Sequence, residues 1–423
     1  MVLPADSAYA AAMQRGADLT ESVVSSRAPS RRFEARREAI IASATREINR
    51  RGVKGMSLGN VAARLNLVPT AVMYYFKNKE ELAAAVFRKS IAQFDELIAA
   101  GDLYETGSER ISALIRAYFA YRLQVKRGEA NEIADTSDVR ALGSAEVYEA
   151  YEAMFRHARR LTPRTPDESR ADRNVRTVLL LAELTWTPAW IYNWRSQDYG
   201  RIGERMADVL VNGVAAPGAP WSAAPPPGLA LEADDLESSP GHFLRAATQL
   251  INDEGYHGAS VERISARLKV TKGAFYHYNA TKDDLVVACF QRTFDLMWRA
   301  IDEAEAIGGS GLQVLATIAA MLVGQQLGDA PMLRTSALST VPGPVRGQML
   351  HRLRRITIRF ASLLCDGIAD GSIRPVDTSV TAQMITAAIN AASETPYFLA
   401  AEGRAHAAEH YVRSLFLGLC PEG

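Results

Sequence analysis

The feature that most constrains this chain is a repeat of unusual length. Gly52, Gly55, Ser57, Ala63, Arg64, Leu65, Ala71, Tyr75, Lys79 and Leu82 recur as Gly255, Gly258, Ser260, Ala266, Arg267, Leu268, Ala274, Tyr278, Lys282 and Leu285. The offset is constant (255 − 52 = 203), so no gap separates the two copies. Repeats every 20–50 residues or so build solenoids, whereas one repeat at about 200 marks a duplicated domain. A chain of 423 residues suits that reading, since it is too long for one ordinary core.

Each copy reads as short helices with a break between them. In the second, Val261, Ile264 and Leu268 form an apolar stripe at helical spacing. Lys269-Val270 is the turn, and Thr271 is a helix N-cap whose hydroxyl accepts a backbone N–H from the next turn. The short helix that follows carries Lys272, Gly273, Ala274, Tyr276, His277 and Tyr278. Its small residues let the backbone approach base edges, and its aromatics with Lys282 sit where phosphates would run. That is the plan of a DNA-reading helix-turn-helix. In the first copy a helix over about Phe33–Arg50 points Ile40, Ile41, Ala44 and Ile48 inward, and Gly52 ends it in a left-handed conformation. Ser57 caps the second helix, and Pro69 opens the third, where its missing N–H costs nothing. Thr70, Ala71, Met73, Tyr74 and Tyr75 belong to that third helix, and Val68 replaces the hydroxyl cap. The fourth helix starts at Lys79 and runs to about Ala99.

The run LKVTKGAFYHYNATKDDL resembles the signature of tetracycline-repressor (TetR) type transcriptional regulators. The likeness extends upstream through Phe243–Ile251 and Glu254-Gly255-Tyr256. Asn279 departs from it, standing where the family has Phe. The resemblance implies an all-α fold of two tandem units. Each unit has an N-terminal three-helix DNA-binding domain and a helical ligand-binding and dimerisation domain, and the two dock as an intramolecular pseudo-dimer. It implies that Ser57, Pro69, Thr70, Ala71, Met73, Tyr74, Tyr75 and Lys79 face DNA in one half. In the other half Ser260, Thr271, Lys272, Gly273, Ala274, Tyr276, His277, Tyr278 and Lys282 do so. It also implies a largely apolar small-molecule effector in the helical bundle, whose binding displaces the fourth helix. Candidate lining residues are Phe94, Tyr118, Trp186 and Trp190, and in the second half Phe294, Trp298, Met321 and Gln325. The last two helices of each half are expected to form the interface, which makes one chain a monomeric pseudo-dimer with further dimerisation open.

The expected organisation is a mobile N-terminal segment (1–30), a first DNA-binding domain (31–86) and a first regulatory domain (87–214). A Pro/Ala-rich acidic linker (215–239), a second DNA-binding domain (240–288) and a second regulatory domain (289–423) follow. By composition the linker builds no core and leaves the docking of the halves unrestricted. Pro188 should kink or end a long helix begun near Val175, and the last helix is expected from about Tyr397 to Leu419.

Charges balance at 48 basic and 48 acidic, so a DNA-binding reading rests on local patches. The halves differ sharply here. Arg27–Lys54 holds nine basic and three acidic residues (9 − 3 = +6), whereas Ala230–His257 holds one basic and six acidic (1 − 6 = −5). Arg31, Arg32 and Arg36, just ahead of the first helix-turn-helix, read as a phosphate- or minor-groove-contacting arm. Three scattered cysteines suit buried thiols in a reducing cytoplasm, and no apolar run is long enough to span a bilayer. The chain carries no nucleophile elbow, Walker loop, dinucleotide fingerprint or metal-ligand spacing, so neither an enzyme nor a cofactor is expected. The sequence therefore predicts a cytoplasmic, ligand-responsive repressor on an imperfectly palindromic operator. The alternative is a homologue that has lost DNA binding in one or both halves and acts through small-molecule or protein binding.

Overall fold

The computed structural model describes residues 30–136, 139–164, 168–221, 239–273, 281–334, 337–338, 341, 343–399 and 406–420. Helix α1 (Arg31–Gly55) is broken by Gly52, at φ 70° and ψ 166°. Its inward stripe of Ile40, Ile41, Ala44 and Ile48 is buried, as the spacing predicts. Helices α2 (Leu58–Ala63) and α3 (Pro69–Met73) follow, then α4 (Lys79–Ala99). Ser57 caps α2 by accepting the Asn60 N–H at 3.1 Å, while Val68 gives α3 no side-chain cap. Next come α5 (Gly107–Arg127), α6 (Val139–Leu142), α7 (Ala145–Leu161), α8 (Arg170–Trp190) and α9 (Tyr199–Asn212).

The second half continues with α10 (Ser239–Gly258), α11 (Val261–Leu268) and α12 (Lys282–Ile307), which correspond to α1, α2 and α4; residues 274–280, opposite α3, lie outside the described residues. It ends with α13 (Gly311–Leu327), α14 (Gly343–Ala369), α15 (Thr378–Ala391) and α16 (Ala407–Leu417). Among the described residues there is no strand, only an isolated antiparallel bridge between Ala215 and Ile373. A short N-terminal unit ends at Ala39 and carries the opening turns of α1; Ile40–Gly423 form one further unit containing both repeats.

The halves are joined as a pseudo-dimer through their last helices. α8 packs against both α15 and α16, and α9 against α15. Between its own bundle and its neighbour's, α8 buries Val175, Val178, Leu179, Leu180, Leu181 and Leu184, with the polar Arg176, Thr177 and Glu183 buried among them. Each such side chain contributes roughly 1.5–3 kcal/mol on burial. Beyond α9 and α16 the backbones cross. Leu419 N–H donates to Leu210 O at 2.7 Å, and Val214 N–H to Phe416 O at 2.8 Å. Gly213 and Gly418 make the crossing possible: both have positive φ (69° and 91°), and a Cβ on either would lie 2.4 Å from the other segment.

Two expectations change, and that for Pro188 as a helix-ending residue is met. Residues 215 and 216, assigned to the linker by composition, are tied to the second half: Ala215 N–H donates to Phe416 O (3.1 Å) and Ala216 N–H to Ser372 O (2.9 Å). Main-chain pairing needs no apolar side chain, so composition does not reveal it. Pro188 lies in the last turn of α8, which runs only to Trp190 before a 3-10 turn over Ile191–Asn193. The last helix starts at Ala407, not near Tyr397, because Ala392–Phe398 around Pro396 form a 3-10 stretch.

One polar group is misplaced in this apolar seam. Glu183 on α8 is fully buried, and neither carboxylate oxygen has a hydrogen-bond partner. Burial raises its pKa well above the usual carboxylate value. A carboxyl whose folded pKa is raised costs nothing below its unfolded pKa and destabilises the fold as pH rises. Glu183→Met should therefore be increasingly more stable than wild type above about pH 4.5, by up to about 1.4 kcal/mol per pH unit. Urea unfolding of both proteins from pH 5 to pH 8 measures this; a constant difference would show that Glu183 is ionised in the fold.

Candidate nucleic-acid interface and effector cavity

α3 is held from below and bare above. Val72 and Phe76 are buried in the head, whereas Pro69, Thr70, Met73 and Tyr74 are exposed, Met73 at 51% and Tyr74 at 76%. Apolar side chains that open to solvent, on a helix with one buried face, mark a contact surface. Ala71 and Tyr75 are half-buried, and the Tyr74 and Tyr75 rings meet edge-on at 5.2 Å. Arg31, Arg32 and Arg36 are exposed on the opening turns of α1. In the second half Thr271, Lys272 and Gly273 are exposed; Ala274, Tyr276, His277, Tyr278 and Asn279 lie outside the described residues. Lys272 pairs with Glu262 at 2.6 Å, and this contact holds the Glu262 carboxyl down at about 2.

Lys79 and Lys282 are placed alike, but neither ammonium simply points outward. Lys79 donates to Lys54 O at 2.8 Å, and Lys282 to Tyr256 O while lying 3.9 Å from the centre of the Tyr256 ring. Burial lowers both pKa values. Each lysine ties the start of its fourth helix to the end of its first, and an ammonium has three donors, so two remain in each. Ser57 and Ser260 both cap, Ser260 accepting the Arg263 N–H at 3.3 Å.

The first head has a feature that spacing alone does not reveal. Glu47 is buried and receives Asn60 (3.0 Å), Arg51 (3.1 Å) and Arg64 (3.3 Å). Two of the basic side chains around this head are therefore occupied internally. The equivalent position, Leu250, is buried and apolar. The heads also touch. Gly55 faces His257 so closely that a Cβ there would lie 2.5 Å from the ring. Burial, then Lys282 and Arg51, lower the His257 pKa.

Between the halves lies a cavity of about 370 Å³. Of the sequence candidates, Phe94, Tyr118 and Trp186 line it. Trp190 does not; it is buried beside Trp194, ring centres 5.3 Å apart. Nor do the four second-half candidates. Phe294 and Met321 are buried in the core, Trp298 lies under Arg355 at 6.0 Å, and Gln325 donates to Ala330 O at 2.6 Å. The cavity instead receives Arg334, Asn390, Glu394 and Phe398 from the second half, and Asn49, Arg122 and Asp135 from the first. Sequence reasoning missed these because they converge only when the halves dock. One signal was present: Asn49 and Asn252 are identical at the 203-residue offset (252 − 49 = 203).

One helix-turn-helix head, with the first two helices of a second copy, on a helical scaffold is thus the class of protein the geometry defines. Residues 40–86 and 243–289 each match the family profile described as "Bacterial regulatory proteins, tetR family". The chain thus carries the N-terminal domain of that family twice. The Transposon Tn10 TetC protein of Escherichia coli is 34% identical over 59 residues, which span 14% of this chain and 30% of that protein's length. Among solved structures, AibR in complex with isovaleryl coenzyme A and operator DNA is 21% identical, covering 41% of this chain and 97% of that one, at a TM-score of 0.33. FadR from Bacillus subtilis in complex with stearoyl-CoA is 20% identical, covering 42% and 97%, at a TM-score of 0.34. No helix among the described residues is long and apolar enough to cross a membrane.

The turn between the second and third helices yields a stability prediction. Asn66 and Lys269 occupy equivalent positions with φ of 54° and 56°. Asn tolerates left-handed backbone, whereas for most L-residues it costs roughly 1–2 kcal/mol. Lys269→Asn should stabilise the protein by about 1 kcal/mol and Asn66→Lys should destabilise it comparably. Urea titration of both variants reads this; two unchanged midpoints would mean that the turns carry no strain.

Proposed function

We propose that this protein is a ligand-responsive transcriptional repressor whose single chain reads both halves of an imperfectly palindromic operator. The observation that carries the reading is the α3 surface: Thr70, Met73 and Tyr74 bare above a buried Val72 and Phe76, within a domain matched twice to one DNA-binding family. Paired helix-turn-helix heads dock in successive major grooves about one helical turn apart. Because Thr70, Ala71, Met73 and Tyr74 are replaced by Gly273, Ala274, Tyr276 and His277, the half-sites should differ. Domain boundaries near 86, 214, 239 and 288 go with this reading, as does a single chain of 46.1 kDa acting as the DNA-binding unit.

The operator is obtained by selection from random-sequence DNA. Gel shifts then compare it with two versions, each symmetrised to one half-site. Both should bind more weakly than the native site; equal binding by all three would overturn the two-reader assignment.

The basic excess of the first half assigns the two heads different work. Phosphate neutralisation is sequence-independent and sets the salt dependence of binding. Arg31→Ala, Arg32→Ala and Arg36→Ala together should weaken binding to every sequence, and should flatten the log–log salt slope by roughly one unit for each phosphate no longer neutralised. Lys272→Ala should instead reduce specific more than non-specific binding. A salt slope unaffected by removal of the three arginines would show that they form a solvated face.

A further inference from the structure

Two polar clasps link the heads to the cavity, and they are copies of each other. In the first half, Asn49 of α1 donates to Ile133 O (3.0 Å) and accepts the Asp135 N–H (2.9 Å), while Ser90 of α4 accepts the Ala134 N–H (3.0 Å). In the second, Asn252 of α10 donates to Met332 O (2.9 Å) and accepts the Arg334 N–H (2.9 Å), while Thr293 of α12 accepts the Leu333 N–H (3.0 Å). Asn252 and Thr293 stand at the repeat offset (252 − 49 = 293 − 90 = 203). Each clasp gathers a first helix and a fourth helix onto one short loop. The two loops end in equivalent residues, Asp135 and Arg334, and both of these line the same cavity.

We propose that this cavity is a single effector site that signals to both heads through Asn49 and Asn252, and that it takes an apolar molecule carrying one anionic group. The inference rests on the ligand-responsive reading above. The apolar body would meet Phe94, Tyr118, Phe155, Trp186 and Phe398. The anion would meet Arg122, whose Nε is buried without a hydrogen-bond partner. A guanidinium in that state beside the cavity gains a charge-assisted bond from a carboxylate or sulfonate. The carboxylates nearby are otherwise placed. Glu132 receives Asn49 at 3.1 Å, Asp135 is exposed, and Glu394 faces the buried Arg334 at 3.6 Å. Burial raises the Glu394 pKa, against the pull of Arg334 and Arg140. A molecule that reorders the 132–135 loop acts on α1 through Asn49. One that shifts Arg334 acts on α10 through Asn252, since backbone and side chain of Arg334 belong to the two ends of one connection. Bound once, it biases both heads, so the response is shared without a second ligand.

The probe is 1-anilinonaphthalene-8-sulfonate, an aromatic anion that fluoresces in apolar sites, used on the full chain. Titration should give one site per chain, and Arg122→Met should weaken it about tenfold. Hydrogen exchange followed by mass spectrometry should then show probe-dependent changes in both α1 and α10. Asn49→Ala should abolish the change in α1 and keep it in α10; Asn252→Ala should do the reverse. Asn49→Asp and Asn252→Asp keep shape and acceptor but lose the donated bond, so they report on the clasp if an alanine variant unfolds. Two equal sites, no binding, or binding indifferent to Arg122→Met overturns the site. Changes confined to one head, or unaltered by the asparagine variants, overturn the coupling. No DNA is used, so an absent operator would defeat the repressor reading and leave these results standing.

Discussion

The burial of α8 between two bundles is the constraint on which the rest of the structure depends. A helix with apolar side chains turned toward two sides is unstable against water on either of them. In a chain with one bundle, its outer face would need a second molecule. Here α15 and α16 supply that cover from the same polypeptide. Docking is then intramolecular, and its entropic cost depends on the connecting segment instead of on protein concentration. The main-chain bonds from 214–216 to the second half fix the start of that segment.

Once the halves dock, the two repeats cease to be equivalent. Cavity-lining residues on α8 face a surface that the second half completes with Arg334, Glu394 and Phe398, while the candidate positions Phe294 and Met321 are filled with packed core. The heads diverge in the same way. Glu47 knits the first head with three polar contacts, and Leu250 replaces that hub with apolar packing. A buried carboxylate with three donors specifies orientation, at the risk of a large penalty if one donor is removed. Duplication has kept the skeleton of caps, turns and clasps, and has let the surfaces change.

Polar groups in the seam set its register. Arg176 crosses the interface to Leu419 O at 2.6 Å, and Asn174 reaches Phe398 O at 2.7 Å. Both satisfy carbonyls at segment ends that apolar packing would leave bare. Such bonds add little net free energy, yet they discriminate against a slipped register, since slipping leaves each carbonyl buried without a donor. Glu183 is an exception in this seam, its carboxylate oxygens buried with no such partner.

Local order was legible in the sequence, and for local reasons. Ser57, Ser260 and Pro69 act within a few residues of themselves, so caps and helix starts follow from spacing alone. The stripe of Ile40, Ile41, Ala44 and Ile48 announced which face of α1 turns inward, and the 203-residue offset announced two units. The exposure of Thr70, Met73 and Tyr74 agrees with what the family resemblance implies for them, not with any period of their own. What only the tertiary structure decided depends on groups distant in the chain. Asn49 meets a loop 84 residues away, Arg176 an oxygen 243 away, and the cavity collects side chains from both halves. A helix period records which face is buried but not what lies opposite. The partner of a buried face is chosen when the two bundles dock, and with it the cavity lined from both halves.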